Sequence, residues 1–207
     1  MRAETEGFAC SAEHPLVLGS GSPRRRELLE AARVPYVVHK AEVDESVLEG
    51  EDADAYLARV TRAKLLAVAA ALPPELRARA SCLLVADTSV VLDGAVLGKP
   101  NDLADAERLV GSLAGRLHEV RTRFAVGEPG GAPLHEETVT TEVRFRALSP
   151  AEIRAYAATG EGLDKAGAYA IQGVGAALVV AIRGSYTNVV GRPVAEVIEA
   201  LGRLGML

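Results

Sequence analysis

Cys82-Leu83-Leu84-Val85-Ala86 is an unbroken apolar run. A strand with one wet face alternates apolar and polar residues, so a strand without alternation needs cover on both faces, which helices supply in α/β folds. The surrounding chain offers both partners. Pro15 to Gly19 is a second short apolar run that reads as a buried strand, turning at Ser20-Gly21-Ser22-Pro23 into a helix from Arg24 to Ala32. Ser22 is placed as its N-cap and Pro23 as its first residue. Val34 to His39 reads as another strand, followed by the acidic loop Glu42-Val43-Asp44-Glu45. Asp52 or Asp54 caps a long helix that reaches about Leu72 and is closed by Pro73-Pro74.

Beyond the apolar run, Asp87 and Thr88 stand at the expected strand end, and Val90 to Leu97 reads as a hairpin around Asp93-Gly94. A helix is expected from Asp102 to about Leu113. Val120, Thr122, Phe124 and Val126, and then Thr141, Val143 and Phe145, alternate with polar residues on either side of Gly130-Gly131, the pattern of an antiparallel pair. Ser149-Pro150-Ala151-Glu152 has capping-box spacing. A Gly-rich stretch from Gly160 to Gly175 leads to a strand over Ala177 to Ile182, and Pro193 opens the last helix. The expectation is an α/β fold: a mixed twisted sheet with flanking helices, in two lobes around a cleft.

A chain of 207 residues with 49% apolar content fits one bilobed domain over 15–207, preceded by a solvated leader over 1–14. Its net charge of −5 argues against a nucleic-acid partner, which calls for a basic face. The leader does not resemble a signal peptide, and no apolar run approaches the roughly 20 residues that span a membrane. Two cysteines, Cys10 and Cys82, far apart in sequence, fit a reduced cytoplasmic setting.

The segment Gly19-Ser20-Gly21-Ser22-Pro23-Arg24-Arg25-Arg26 is electrostatically odd. A helix N-terminus carries partial positive charge, so acidic residues belong there, and each arginine in the first turn costs a few tenths of a kcal/mol unless an anion rests against it. Free backbone N–H groups, small residues and serine hydroxyls at a strand-to-helix turn make a phosphate cradle, and guanidinium forks match phosphate oxygens. The alternative is a solvated charged face, which explains neither the dipole nor the glycines. There is no P-loop lysine, and Arg24 replaces the third glycine of a dinucleotide fingerprint, so P-loop kinase and nicotinamide dehydrogenase are excluded.

Four further positions add to this. Lys64 falls on the apolar stripe of the long helix, with Leu57, Val60, Leu65 and Val68, so it meets an anion, loses its proton or snorkels at the core edge. Asp87 lies where ligands collect beyond strand carboxyl ends, although turn capping is the commoner role for such a residue taken alone. Lys99 sits in the rigid turn Gly98-Lys99-Pro100. In the Gly-rich stretch Gln172 offers both a donor and an acceptor, which suits a base edge.

Taken together, Ser20-Gly21-Ser22-Pro23-Arg24-Arg25 with Leu28-Leu29, Asp44-Glu45, Lys64, Ala86-Asp87-Thr88, Gly98-Lys99-Pro100, Asp164 to Gly173 and Asn188-Val189-Val190-Gly191 closely resemble the Maf family of nucleotide pyrophosphatases, also called septum formation inhibitor proteins. The likeness runs from Leu16 to Leu201. It implies an inosine triphosphate pyrophosphatase-like fold, a divalent cation (Mg²⁺ or Mn²⁺) and a homodimer. It also implies that Asp87 is the general base or orients the water. Ser22, Arg24, Arg25, Lys64 and Lys99 would hold a triphosphate, and Glu45 with Asp87 would bind the metal. Arg24, Thr88 and Gln172 would set substrate preference. The Asp87-Thr88 pair and the run Ala168 to Gly173 resemble the branch acting on dTTP and UTP rather than the one acting on 7-methyl-GTP. Thr187 and Arg192 depart from the family's usual serine or aromatic and leucine. The expected activity is hydrolysis of a nucleoside triphosphate to monophosphate and pyrophosphate; the alternative is a nucleotide-binding regulator of cell division with little hydrolysis.

Overall fold

A computed structural model describes residues 9–207. Seven strands make one mixed sheet: β1 (Leu16–Leu18), β2 (Tyr36–Val38), β3 (Cys82–Leu92), β4 (Ala95–Leu97), β5 (Leu117–Gly127), β6 (Pro133–Phe145) and β7 (Val179–Arg183). Their order is β2-β1-β3-β5-β6-β7, with β4 paired to the far end of β3. The sheet is parallel from β2 to β3 and antiparallel from β3 onward. The helices are α1 (Pro23–Ala31), α2 (Ala53–Ala71), α3 (Pro74–Arg79), α4 (Leu103–Leu113), α5 (Pro150–Ala157), α6 (Tyr186–Val190) and α7 (Val194–Arg203).

The parallel strands are covered on both faces, as their composition requires. Leu16, Leu18, Leu84 and Ala86 join one core with Leu29 of α1 and Val197, Ala200 and Leu201 of α7. Val17, Leu83 and Val85 face the other way, onto Leu65, Val68 and Ala69 of α2. A separate core joins Val90 and Val120 to α4 and to Phe145, Tyr156 and Tyr169. These packed regions are strung on one continuous sheet.

Local signals land close to where they were read. Asp52, rather than Asp54, caps α2, accepting from the Ala55 amide at 2.8 Å. At α5 both halves of the Ser149–Glu152 capping box are made. Three features differ from expectation. Pro73-Pro74 ends α2 but also starts the short helix α3, because a proline at a first helical position loses nothing. The stretch over 173–178 is a 3₁₀ turn, so β7 begins at Val179. Most consequentially, β3 does not end at Asp87: it runs on to Leu92, held by a continuous antiparallel register with β5.

Residues 1–8 of the expected leader lie outside the described residues. Over the rest of it the chain is tied down, with the Cys10 amide donating to the Met206 carbonyl at 2.9 Å. No helix among the described residues is long and apolar enough to cross a membrane.

Candidate active site

Pairing of β3 with the parallel strand β1 stops at Leu84, three residues before Asp87. Asp87 is therefore in mid-strand, but beyond the carboxyl end of the parallel half-sheet, where the loop after β1 turns into α1. The position read from the sequence holds for a different reason: β1, not β3, ends there. Gly19 makes the turn possible by close approach, since a Cβ on it would meet Val85 Cγ1 at 2.7 Å and Val68 Cγ2 at 2.8 Å.

A cavity of about 410 Å³ opens at this point, within the usual range for small-molecule sites. Ser22, Arg24, Arg25, Glu45, Lys64, Asp87, Thr88, Lys99 and Gln172 all line it. Six stretches that are separate in sequence are thereby brought to one place. Asp164, Lys165 and Tyr169 also line it and were given no individual role beforehand; their signal was membership of the Gly-rich stretch and of the motif Asp164 to Gly173. The cavity's lining combines a charged cluster of Glu45, Lys64, Asp87 and Lys99 with apolar wall from Val90, Val120, Ile171, Val189 and Val190.

In the charged cluster, the Lys64 ammonium lies between two carboxylates, 2.6 Å from Glu45 Oε1 and 2.7 Å from Asp87 Oδ1. Lys64 and Asp87 are almost fully buried. The inward lysine therefore met an anion, one of the three outcomes open to it. Lys99 reaches the other Glu45 oxygen at 3.0 Å from the exposed rim. Burial works against ionisation of Glu45, but the hydrogen bonds and charges of Lys64 and Lys99 outweigh it and hold the carboxyl at about 2. On α2, one helical face from Lys64, the Tyr56 hydroxyl donates to the Glu45 carbonyl at 3.1 Å. Burial, then the Asp87 and Glu45 charges, push this phenol above its ordinary range. Tyr56 steadies the Glu45 loop, a role that nothing in its local sequence signalled.

The first turn of α1 lines the same cavity. Ser22 occupies the N-cap position, yet its side chain accepts from no helix amide, and no acidic residue sits in the first turn. The helix's positive pole is left for an external anion. The three arginines divide the work. Arg24 lines the cavity and makes no hydrogen bond among the described residues, and its charge helps to lower the Asp164 carboxyl. Arg25 is used largely inward. Its Nε donates to the Gly191 carbonyl at 2.8 Å, Nη1 to the Ala86 carbonyl at 3.0 Å and Nη2 to Thr88 Oγ1 at 3.1 Å. It ties α1 to β3 and to the left-handed cap of α6, where Gly191 has φ +117°. Thr88 Oγ1 also meets Thr122 Oγ1 at 2.9 Å, so that hydroxyl is engaged by protein. The Gln172 side chain lines the cavity and has no hydrogen-bond partner among the described residues.

Five cations (Arg24, Arg25, Lys64, Lys99, Lys165) thus surround three carboxylates (Glu45, Asp87, Asp164) in a chain of net charge −5. Such local gathering of positive charge is what a polyanion requires. As to a metal, no cluster of three or more His, Cys, Asp or Glu side chains forms among the described residues. Glu45 and Asp87 nonetheless converge on one point, marked by the Lys64 ammonium. Two hard carboxylate oxygens with the remainder of the shell from phosphate and water is the usual donor set for Mg²⁺, so these residues fit the group.

The two departures near the last motif lie outside the cavity lining. Thr187 Oγ1 accepts from the Val194 amide at 3.1 Å. Arg192 is fully buried and has no partner for Nε, Nη1 or Nη2 among the described residues.

Residues 15–204 match the family model described as Maf-like protein. A protein of Anaeromyxobacter sp. (strain Fw109-5) named dTTP/UTP pyrophosphatase is 52% identical, over 92% of this chain and 89% of that protein. Proteins of the same name from Geotalea uraniireducens and Myxococcus xanthus are 45% and 46% identical, over 95% and 92% of this chain and 98% and 93% of theirs.

Proposed function

The chain belongs to the Maf-like family, and on that premise we propose that it hydrolyses dTTP and UTP to the monophosphate and pyrophosphate. The observation that carries this reading is the cavity's polarity: the uncapped positive pole of α1 and five cations at a buried carboxylate, together with apolar wall. The triphosphate would lie against Ser22, Arg24, Lys64 and Lys99, with the spare Nη2 hydrogen of Arg25 toward it. The base would reach the apolar wall, and Gln172 has an unused amide for it.

Asp87 then orients a water for attack on the α-phosphorus and takes its proton. The bond from that phosphorus to the bridging oxygen breaks, and pyrophosphate leaves. Lys64 holds Asp87 Oδ1 at 2.7 Å, which fixes the carboxylate. Positioning and charge neutralisation supply most of the rate in such displacements. A divalent cation held by Glu45 and Asp87 would add neutralisation of phosphate charge. The same reading makes the protein a cytoplasmic homodimer, as the family resemblance implies; sedimentation equilibrium tests the oligomer.

The decisive assay is pyrophosphate release across canonical triphosphates with Mg²⁺, with Mn²⁺ and with chelator. Release from dTTP and UTP above the purine nucleotides is expected, and its loss in chelator. Asp87→Asn should cut turnover about a thousandfold or more while nucleotide still raises the melting temperature. Full turnover in that variant refutes the role of Asp87. Tight binding without hydrolysis in the wild type would instead favour a nucleotide-binding regulator.

A further inference from the structure

The two cysteines, far apart in sequence, meet in the fold away from the cavity. Cys82 opens β3 in register with Leu16 of β1, and its side chain is fully buried in the core beneath α1 and α7. Cys10 lies on the irregular segment before β1, half-buried, packed against that same core. One hydroxyl reaches both sulfurs: Ser81 Oγ is 3.2 Å from Cys10 Sγ and 3.9 Å from Cys82 Sγ. The Cys10 backbone is in neither helix nor strand and is held by its amide on the Met206 carbonyl, whereas Cys82 is pinned by strand pairing.

We propose that Cys10 and Cys82 form a hydroperoxide-oxidisable pair that closes to an intramolecular disulfide. In the first step the Cys10 thiolate attacks the peroxide's terminal oxygen, the O–O bond breaks, and Cys10 sulfenic acid forms as water (or the alcohol) departs. In the second, Cys82 sulfur attacks the Cys10 sulfur, the S–O bond breaks, and a second water leaves with the Cys82 proton. Two thiols and one peroxide thus give one disulfide, the peroxide being the two-electron oxidant.

The environments divide the labour. A hydrogen bond from Cys82 draws the Cys10 thiol below its ordinary range, against burial and with help from Ser81, which favours its thiolate. Cys82 is pushed up, first by that same hydrogen bond and then by burial, and keeps its proton. A low-pKa, accessible thiol beside a buried one is the arrangement of an entry cysteine and its resolving partner. Neither residue lines the cavity, so pyrophosphatase activity serves as an internal control on folding.

The test treats the full chain with one equivalent of hydrogen peroxide, blocks free thiols, and maps peptides without reduction. A Cys10–Cys82 linked peptide is expected, with the intact mass lower by two hydrogens and restored by dithiothreitol, at unchanged activity. Cys10→Ser should slow oxidation of Cys82 about tenfold or more; oxidation of Cys82 at the wild-type rate in that variant overturns the proposal. So does a wild type that ends with Cys10 as sulfinic acid beside free Cys82, with a disulfide only between copies, or with both thiols free while a small-thiol control is consumed.

Discussion

Replacing Arg192, one of the two departures from the family resemblance, with leucine should stabilise the protein. The residue follows Gly191 at the junction of α6 and α7, with 0% of its surface exposed and no hydrogen-bond partner for its guanidinium among the described residues. Burial, then the charge of Arg25, push its pKa from 12.5 down to about 9. At 1.36 kcal/mol per unit this displacement corresponds to a penalty of up to about 5 kcal/mol at neutral pH. Replacing buried ionic groups by apolar residues of similar size gains about 1–4 kcal/mol. Leucine is smaller, and the space left behind returns about 1 kcal/mol at the usual cost of cavity volume. A net gain of about 2 kcal/mol follows, equivalent to about 5 °C in Tm for a chain of this size. Arg192→Met, which fills more of the space, should gain at least as much. The sign has a pH signature. Because the folded pKa is depressed, the unfolded chain binds more protons between about 9 and 12.5, so the wild type regains stability as pH rises through that window. The advantage of leucine is thus full at pH 7 and shrinks above about 9. Urea unfolding at both pH values measures it, with turnover unchanged because Arg192 does not line the cavity. If both variants unfold more easily than the wild type at pH 7, the uncompensated-charge argument is wrong.

Lys64→Met leaves Glu45 and Asp87 facing each other without their shared cation, and should cost about 3 kcal/mol at pH 7, the low end for breaking a buried pair because Glu45 is 36% exposed and keeps Lys99. The wild type's Glu45 contribution is present above its unfolded value of 4.5 and fades toward about 2, so the deficit measured by urea unfolding should narrow on acidification; a deficit constant from pH 7 to pH 3 refutes this. Gly19→Ala puts a Cβ 2.7 Å from Val85 and 2.8 Å from Val68, and should lower stability by about 1–3 kcal/mol through overpacking. Burial holds His118 at about 4, below 6.5, so the folded state binds fewer protons between these values and loses up to about 3 kcal/mol as pH falls from 6.5 to 4. His118→Gln should flatten that slope in a pH series of urea titrations.

The sequence by itself determined what is local or compositional. The unbroken run Cys82–Ala86 specified a strand covered on both faces, because a buried surface with no alternation has nowhere wet to turn. Ser149 and Glu152 specified a helix start, because both partners of the box lie within one turn. Arginines at the positive pole of α1 pointed to the cavity that Arg24 and Arg25 line, because no helix carries them there to its own advantage.

Only the tertiary structure decided what depends on register and on contacts between distant segments. Strand β3 runs past Asp87 because β5 supplies a continuous ladder of partners, which no signal within β3 announces. Lys64 resolved its three possible fates only when the Glu45 loop folded over α2 beside β3. Arg25 is spent mainly as a clamp on Ala86, Thr88 and Gly191, although its neighbour Arg24, of the same type and one residue earlier, faces the cavity without a hydrogen-bond partner. Adjacent side chains on a helix point about 100° apart, so identical residues meet different neighbours once the sheet packs against one face. Cys10 and Cys82 illustrate the same rule across a longer span: their separation in sequence carried no trace of the single serine hydroxyl that both sulfurs reach in the fold.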